Sequence, residues 1–135
     1  MATMEPIIKK WYDALNEGKI MGLKCKDCGI VEFPPVPICN SCSCTDMEWV
    51  EMSGEGELIT FCFSPMGVYP YHTEPALTGF ARLKEGMQFA SVVIDASGAD
   101  QQVLIERLRE GSVPVKLEIS QIDDNFRFPN LRLLN

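Results

Sequence analysis

The segment GLKCKDCGIVEFPPVPICNSCSC, Gly22 to Cys44, holds five of the six cysteines of a 135-residue chain within 20 positions. Cys25-Lys26-Asp27-Cys28 is followed, after ten residues, by Cys39-Asn40-Ser41-Cys42. A C-x-x-C turn directs both of its sulfurs to one side, and the N–H groups that follow can donate to the thiolates. Two such turns at this spacing read as a tetrahedral metal site with Cys25, Cys28, Cys39 and Cys42 as ligands. Gly29 permits the positive φ that closes the first turn. The four thiolates leave a net negative charge around a dication, which Lys24 and Lys26 partly offset. Zinc, one ion per chain, is the commoner occupant of a closed four-cysteine site, although iron fits the same cage. With four protein ligands there is no open position for water or substrate, so the centre is structural rather than catalytic. The competing reading, two redox dithiols, is disfavoured by the paired spacing.

Composition bounds the rest. The length fits one domain or one domain with a small appendage, and hydrophobic residues at 46% are enough for a core. No apolar run approaches a membrane span, and the first residues lack the apolar centre and cleavage site of a signal peptide. The expected location is the cytoplasm, where clustered cysteines are more often metal ligands than disulfides. The net charge is −7, with five basic and seven acidic residues over positions 1–50 and seven and twelve over 51–135. Neither half offers a basic track, which argues against nucleic acid as a partner.

The remaining cysteines carry no chemistry in this reading. Cys44 lies two residues past the last ligand, and Cys62, inside an apolar run, is expected as a buried small hydrophobe. A nucleophile needs a base beside it, and the chain has one histidine, His72. His72-Thr73-Glu74 resembles half of a zinc deaminase motif, but both cysteine pairs precede it and the ribbon uses all four. No catalytic residue is assigned.

Along the chain, Ile7, Ile8, Trp11, Tyr12 and Leu15 fall at helical spacing, with Pro6 in the first turn and Gly18 as a stop. The expected division is an N-terminal amphipathic helix over 1–21, a zinc ribbon over 22–49 and a β-domain over 50–135. Within the ribbon, FPPVP (Phe33 to Pro37) is expected to be stiff and extended. From Val50 onward GELITFCFS, ALTGFARLK, MQFASVVID, VPVKLEIS and NFRFPNLRLL read as strands, and Glu85-Gly86 as a tight hairpin turn. DQQVLIERLREG reads as one helix with Asp100 as its N-cap and Gly111 as its stop. Three strands, a helix and two strands is the order of a five-stranded OB-fold barrel, so the fold class is mainly β. Gly54 and Gly56 open the first long strand, where such barrels coil sharply.

These features together resemble a family of small acyl-CoA-associated proteins that join an N-terminal helix, a rubredoxin-like zinc ribbon and an OB-fold, and that accompany thiolases. The resemblance rests on W…ALNEGKI from Trp11, on C-K-D-C-G…F-P-P…C-N-S-C from Cys25 to Cys42, and on MEWVEMSGEGEL from Met47. ALTGFARLKEG and REGSVPVKLEI match more weakly. It covers essentially the whole chain, with two departures: Asn40, where the family usually has proline, and the long insertion PMGVYPYHTEP. The resemblance implies a non-catalytic accessory subunit of a hetero-oligomeric thiolase complex, such as the one that cleaves benzoylsuccinyl-CoA. Such a subunit would bridge its partner's subunits and help cover a CoA thioester shared with the partner. Lys24 and Lys26 are candidates for the CoA phosphates. Trp11, Tyr12, Phe33, Tyr69 and Tyr71 are candidates for partner contact, with packing inside the chain the alternative for the helix and ribbon aromatics. A free-standing acyl-CoA carrier and an OB-fold nucleic-acid module are the competing functions.

Overall fold

The computed structural model describes residues 4–66, 74–122, 124 and 127–134. Tyr69, Tyr71 and His72 therefore lie outside the described residues. The chain divides into two compact units: Met1–Ser53 with Glu85–Met87 and Ile119–Phe128, and Gly54–Lys84 with Gln88–Glu118 and Pro129–Asn135.

In the first unit, helix α1 (Pro6–Asn16) begins with Pro6 in its first turn, and the Glu5 carboxylate accepts from the N–H groups of Ile7 and Ile8. This glutamate cap is a weaker sequence signal than serine or aspartate, but it satisfies the same orphan donors. The helix ends where Gly18, at φ +84°, lets the N–H of Lys19 reach the Ala14 carbonyl at 2.9 Å. Strands β1 (Met21–Cys25), β2 (Val31–Glu32) and β3 (Met47–Glu51) form an antiparallel sheet in the order β2-β1-β3. β1 is central, so the first cysteine turn continues a strand paired on both sides.

The aromatic residues of this unit converge. Trp11 is 2% exposed and Phe33 4% exposed. The Trp11 ring meets Tyr12, Phe33 and Phe128 edge-to-face at 5.1, 5.7 and 5.9 Å between centroids. Its indole N–H donates to the Met21 carbonyl at 2.9 Å, which ties α1 to β1. Of the two expectations for Trp11 and Phe33, the structure therefore shows packing within the chain, because Trp11 and Phe33 complete a small core that the ribbon's short strands cannot supply. The FPPVP segment bends at Phe33 and Pro34, whose peptide bond is cis, rather than running extended throughout.

The barrel strands are β4 (Glu55–Ser64), β5 (Ala76–Leu83), β6 (Gln88–Ile94), β7 (Pro114–Gln121) and β8 (Arg127–Leu133), closed in the order β4-β5-β6-β8-β7. β4 pairs antiparallel with β5 and β7, and β5 with β6, whereas β6 and β8 run parallel from Val93↔Leu131. The five expected strands and their order are all present. At the start of β4 the backbone is too close for a side chain: a Cβ on Gly56 would lie 2.5 Å from the Arg82 carbonyl oxygen. Here β4 pairs with both β5 and β7, which closes the barrel.

Two expectations are corrected. Cys62 is exposed, not buried. A bulge between Leu58 and Thr60 shifts the alternation, so Leu58 faces in opposite Ala81, while beyond the bulge Phe61, opposite Gly79, occupies the inward register. Asp100 does not cap the second helix with its side chain. A 3-10 turn, Gly98–Asp100, precedes α2 (Gln101–Glu110), with Ser97 as its cap, and the Asp100 carboxylate turns back to the Ser97 N–H at 2.6 Å.

On the barrel surface, Arg132 of β8 binds the Glu118 carboxylate with Nε and NH2 and reaches Asp95 with NH1. The Arg132 guanidinium holds the Glu118 carboxyl below the usual carboxylate range. Stability from this pair is present above the ordinary carboxylate pKa, near 4.5, and is lost as pH falls through the depressed value. Glu118 is 45% exposed, so the gain is discounted for solvent. Glu118→Gln should cost about 1 kcal/mol or less at pH 7. In urea unfolding repeated down to acid pH, its gap to the wild type should close below the ordinary carboxylate range. A gap that stays constant on acidification would show that the charge is not the cause.

Candidate metal centre

The sequence brings the four sulfurs together by two different routes. The first cysteine turn leaves the end of β1. Its closure uses the Gly29 N–H, which donates to the Cys25 carbonyl at 3.0 Å with Gly29 at φ +80°, as the sequence implies. The second turn closes on itself, with Cys39 N–H to the Cys44 carbonyl and Ser43 N–H to the Cys39 carbonyl, each at 2.9 Å.

The sulfurs of Cys25, Cys28, Cys39 and Cys42 all lie within 4.8 Å of one another. Cys25 and Cys42 are 3.5 Å apart, as are Cys28 and Cys39. Thiolates about 2.3 Å from a tetrahedral zinc ion stand about 3.8 Å apart, so the cage fits that ion. Each turn supplies one buried cysteine, Cys25 or Cys39, and one exposed one, Cys28 or Cys42. Cys44 is outside the group; its sulfur accepts from the Asp46 N–H at 3.4 Å.

Backbone N–H groups point at the sulfurs as the turns require. Those of Cys28 and Asp27 face Cys25, and its thiol is lowered to about 6 because they outweigh its burial. The N–H of Cys44 faces Cys42, but the neighbouring thiols, Cys25 first, together with the partial loss of water around the sulfur inside the cage, overcome it and push Cys42 up to about 12. Without an ion the four sulfurs cannot all ionise near neutrality, because each thiolate repels the next. A dication removes that conflict and displaces the remaining protons, so its binding is coupled to proton release.

Both lysines expected near the cage are exposed at the surface. Lys26 stands 3.5 Å from the Asp46 carboxylate, and its N–H donates to the Asp46 carbonyl at 3.0 Å. Lys24 lies on β1 between Val31 and Glu48 in register. Sequence reasoning missed Glu32, whose carboxylate accepts from the Asn40 backbone N–H at 2.9 Å and from its side-chain amide at 3.0 Å. No periodicity marks such a pair, since the seven residues between Glu32 and Asn40 include three prolines.

Comparison with known proteins agrees with this geometry. Residues 13–48 match the ChsH2 rubredoxin-like zinc ribbon domain. A DUF35 domain-containing scaffold protein of Methanocaldococcus jannaschii is 29% identical over 70% of this chain and 68% of its own length. A protein of Thermomonospora curvata named as a probable enoyl-CoA hydratase alpha subunit is 21% identical over 90% of this chain. This chain spans only 36% of that protein's length. Among solved structures, the Ltp2-ChsH2(DUF35) aldolase superposes with a TM-score of 0.76 at 20% identity, covering 98% of each chain. A DUF35 protein of unknown function from Sulfolobus solfataricus superposes at 0.58 and 15% identity, over 97% of this chain and 87% of its own. The match to the ChsH2 rubredoxin-like zinc ribbon domain covers the ribbon region alone, and the likeness to the two solved structures is one of fold. Among the described residues, no helix is long and apolar enough to cross a membrane.

Proposed function

We propose that the chain is a non-catalytic, zinc-bound accessory subunit of a cytoplasmic thiolase-type acyl-CoA enzyme. The observation that carries this reading is the closed four-thiolate cage: it uses its whole coordination sphere on the protein and leaves nothing for a substrate. Relatives named as a scaffold protein, an aldolase with ChsH2, and an enoyl-CoA hydratase subunit support a place beside an acyl-processing partner. In this reading the helix and ribbon (1–49) and the OB-type barrel (50–135) bridge partner subunits and help cover the shared CoA thioester. Lys24 and Lys26 face its phosphates, and Tyr12, Tyr69 and Tyr71 contribute to the partner contact. Trp11 and Phe33 act indirectly, by holding α1 on the ribbon.

The purified chain, incubated with acetoacetyl-CoA and CoA, should neither cleave nor condense thioesters, because the described residues hold no nucleophile paired with a base. Turnover that disappears in Cys44→Ser or His72→Ala would overturn the accessory role. Binding of acyl-CoA by the isolated chain as tightly as by any complex would favour the free-standing carrier instead.

A further inference from the structure

We infer that Glu32 is a positioning residue for the metal centre: a carboxylate latch that holds the second cysteine turn shut and sets how fast zinc leaves. The inference rests on the zinc reading above. Asn40 sits between ligands Cys39 and Cys42, and Glu32 takes both its backbone N–H and its side-chain amide, one on each carboxylate oxygen. The two turns are braced at the same place, the residue after the first cysteine. Lys26 is held by Asp46 in the first turn, and Asn40 is held by Glu32 in the second. The braces differ in what lies behind them. The first turn is an extension of the central strand β1, whereas the second is a loop closed on its own backbone between Cys39 and Cys44.

Zinc release requires one pair of thiolates to swing away from the other. The turn without a strand behind it is the one that can swing, and doing so breaks both bonds to Glu32. Hydrogen bonds to a charged acceptor are stronger than neutral ones, so the latch adds to the barrier for opening rather than to the zinc–sulfur bonds themselves.

The test uses the full-length zinc-loaded chain, with zinc transfer to an excess of a chromophoric chelator followed in time. Asn40→Asp sets two carboxylates face to face and should speed release by about tenfold or more. Glu32→Gln keeps an acceptor for the Asn40 N–H and should speed it about threefold. In the double variant Glu32→Gln/Asn40→Asp the polarity of the side-chain bond is reversed, with the glutamine amide donating to the aspartate. Release should return to within about twofold of the wild-type rate. Hydrogen exchange at the residue-40 amide should rise in Asn40→Asp and fall back in the double variant, with the thermal transition of the barrel unchanged throughout. Zinc held normally but released at the wild-type rate in Asn40→Asp, or no rescue in the double variant, overturns the latch. A wild-type chain that holds no zinc overturns the metal reading beneath it, which is a different result.

Discussion

Replacing Cys39 with serine is expected to empty the metal centre and unfold the ribbon while the barrel persists. Cys39 is a buried ligand, and its sulfur sits 3.5 Å from that of Cys28. The sheet around it has strands of five, two and five residues, too little apolar surface to hold the two turns together against their own repulsion. In such modules the metal's binding free energy, roughly 10–16 kcal/mol for ribbon-sized peptides, is also the folding free energy. A hydroxyl in place of one thiolate removes a large share of it. Metal analysis should fall from about one zinc per chain to nearly none. Amide exchange in β1, β2 and β3 should approach unprotected rates, while β4 to β8 stay protected. Cys62→Ser, at an exposed position far from the cage in sequence, should leave metal content unchanged. A Cys39→Ser chain with full zinc content and a protected ribbon would show that the four sulfurs are not the ligands.

Trp11→Ala should be the most damaging substitution outside the cysteines. Trp11 is buried against Tyr12, Phe33 and Phe128, and its N–H satisfies the Met21 carbonyl. Truncation opens a cavity among aromatic rings and deprives that carbonyl of its donor, at a combined cost of about 3–5 kcal/mol. The loss falls on the helix and ribbon unit and should appear as an early transition in a thermal melt of the zinc-loaded protein. Trp11→Phe keeps most of the packing but not the hydrogen bond, and should recover the larger part of the loss. If Trp11 were a surface anchor for a partner, both melts would match the wild type and only complex formation would suffer.

Much of this architecture is legible in the sequence, for reasons that are local. Paired C-x-x-C turns, a proline at a helix start and glycines at positive φ are backbone and coordination constraints that a few adjacent residues decide. The strands announced themselves through alternation and β-branched content. Where alternation was interrupted the reading failed: the bulge after Leu58 inverts the faces of β4, so Cys62 emerges at the surface. The aromatics were ambiguous for a different reason. Whether Trp11 packs inward depends on Phe33 and Phe128, 22 and 117 residues away, and no periodicity connects them. Glu32 and Asn40 were invisible for the same cause, since a charged strand residue and a polar turn residue each look like ordinary surface until the fold sets them 2.9 Å apart.

The central claim is that this chain works as a zinc-bound partner and not alone. Its most direct test is native mass spectrometry of the chain affinity-purified from its own cells at physiological salt. The expected result is a stable complex with a thiolase-type subunit in fixed ratio and one zinc per copy of this chain. A chain recovered alone, with its zinc in place and acyl-CoA thioester turnover of its own, would contradict it.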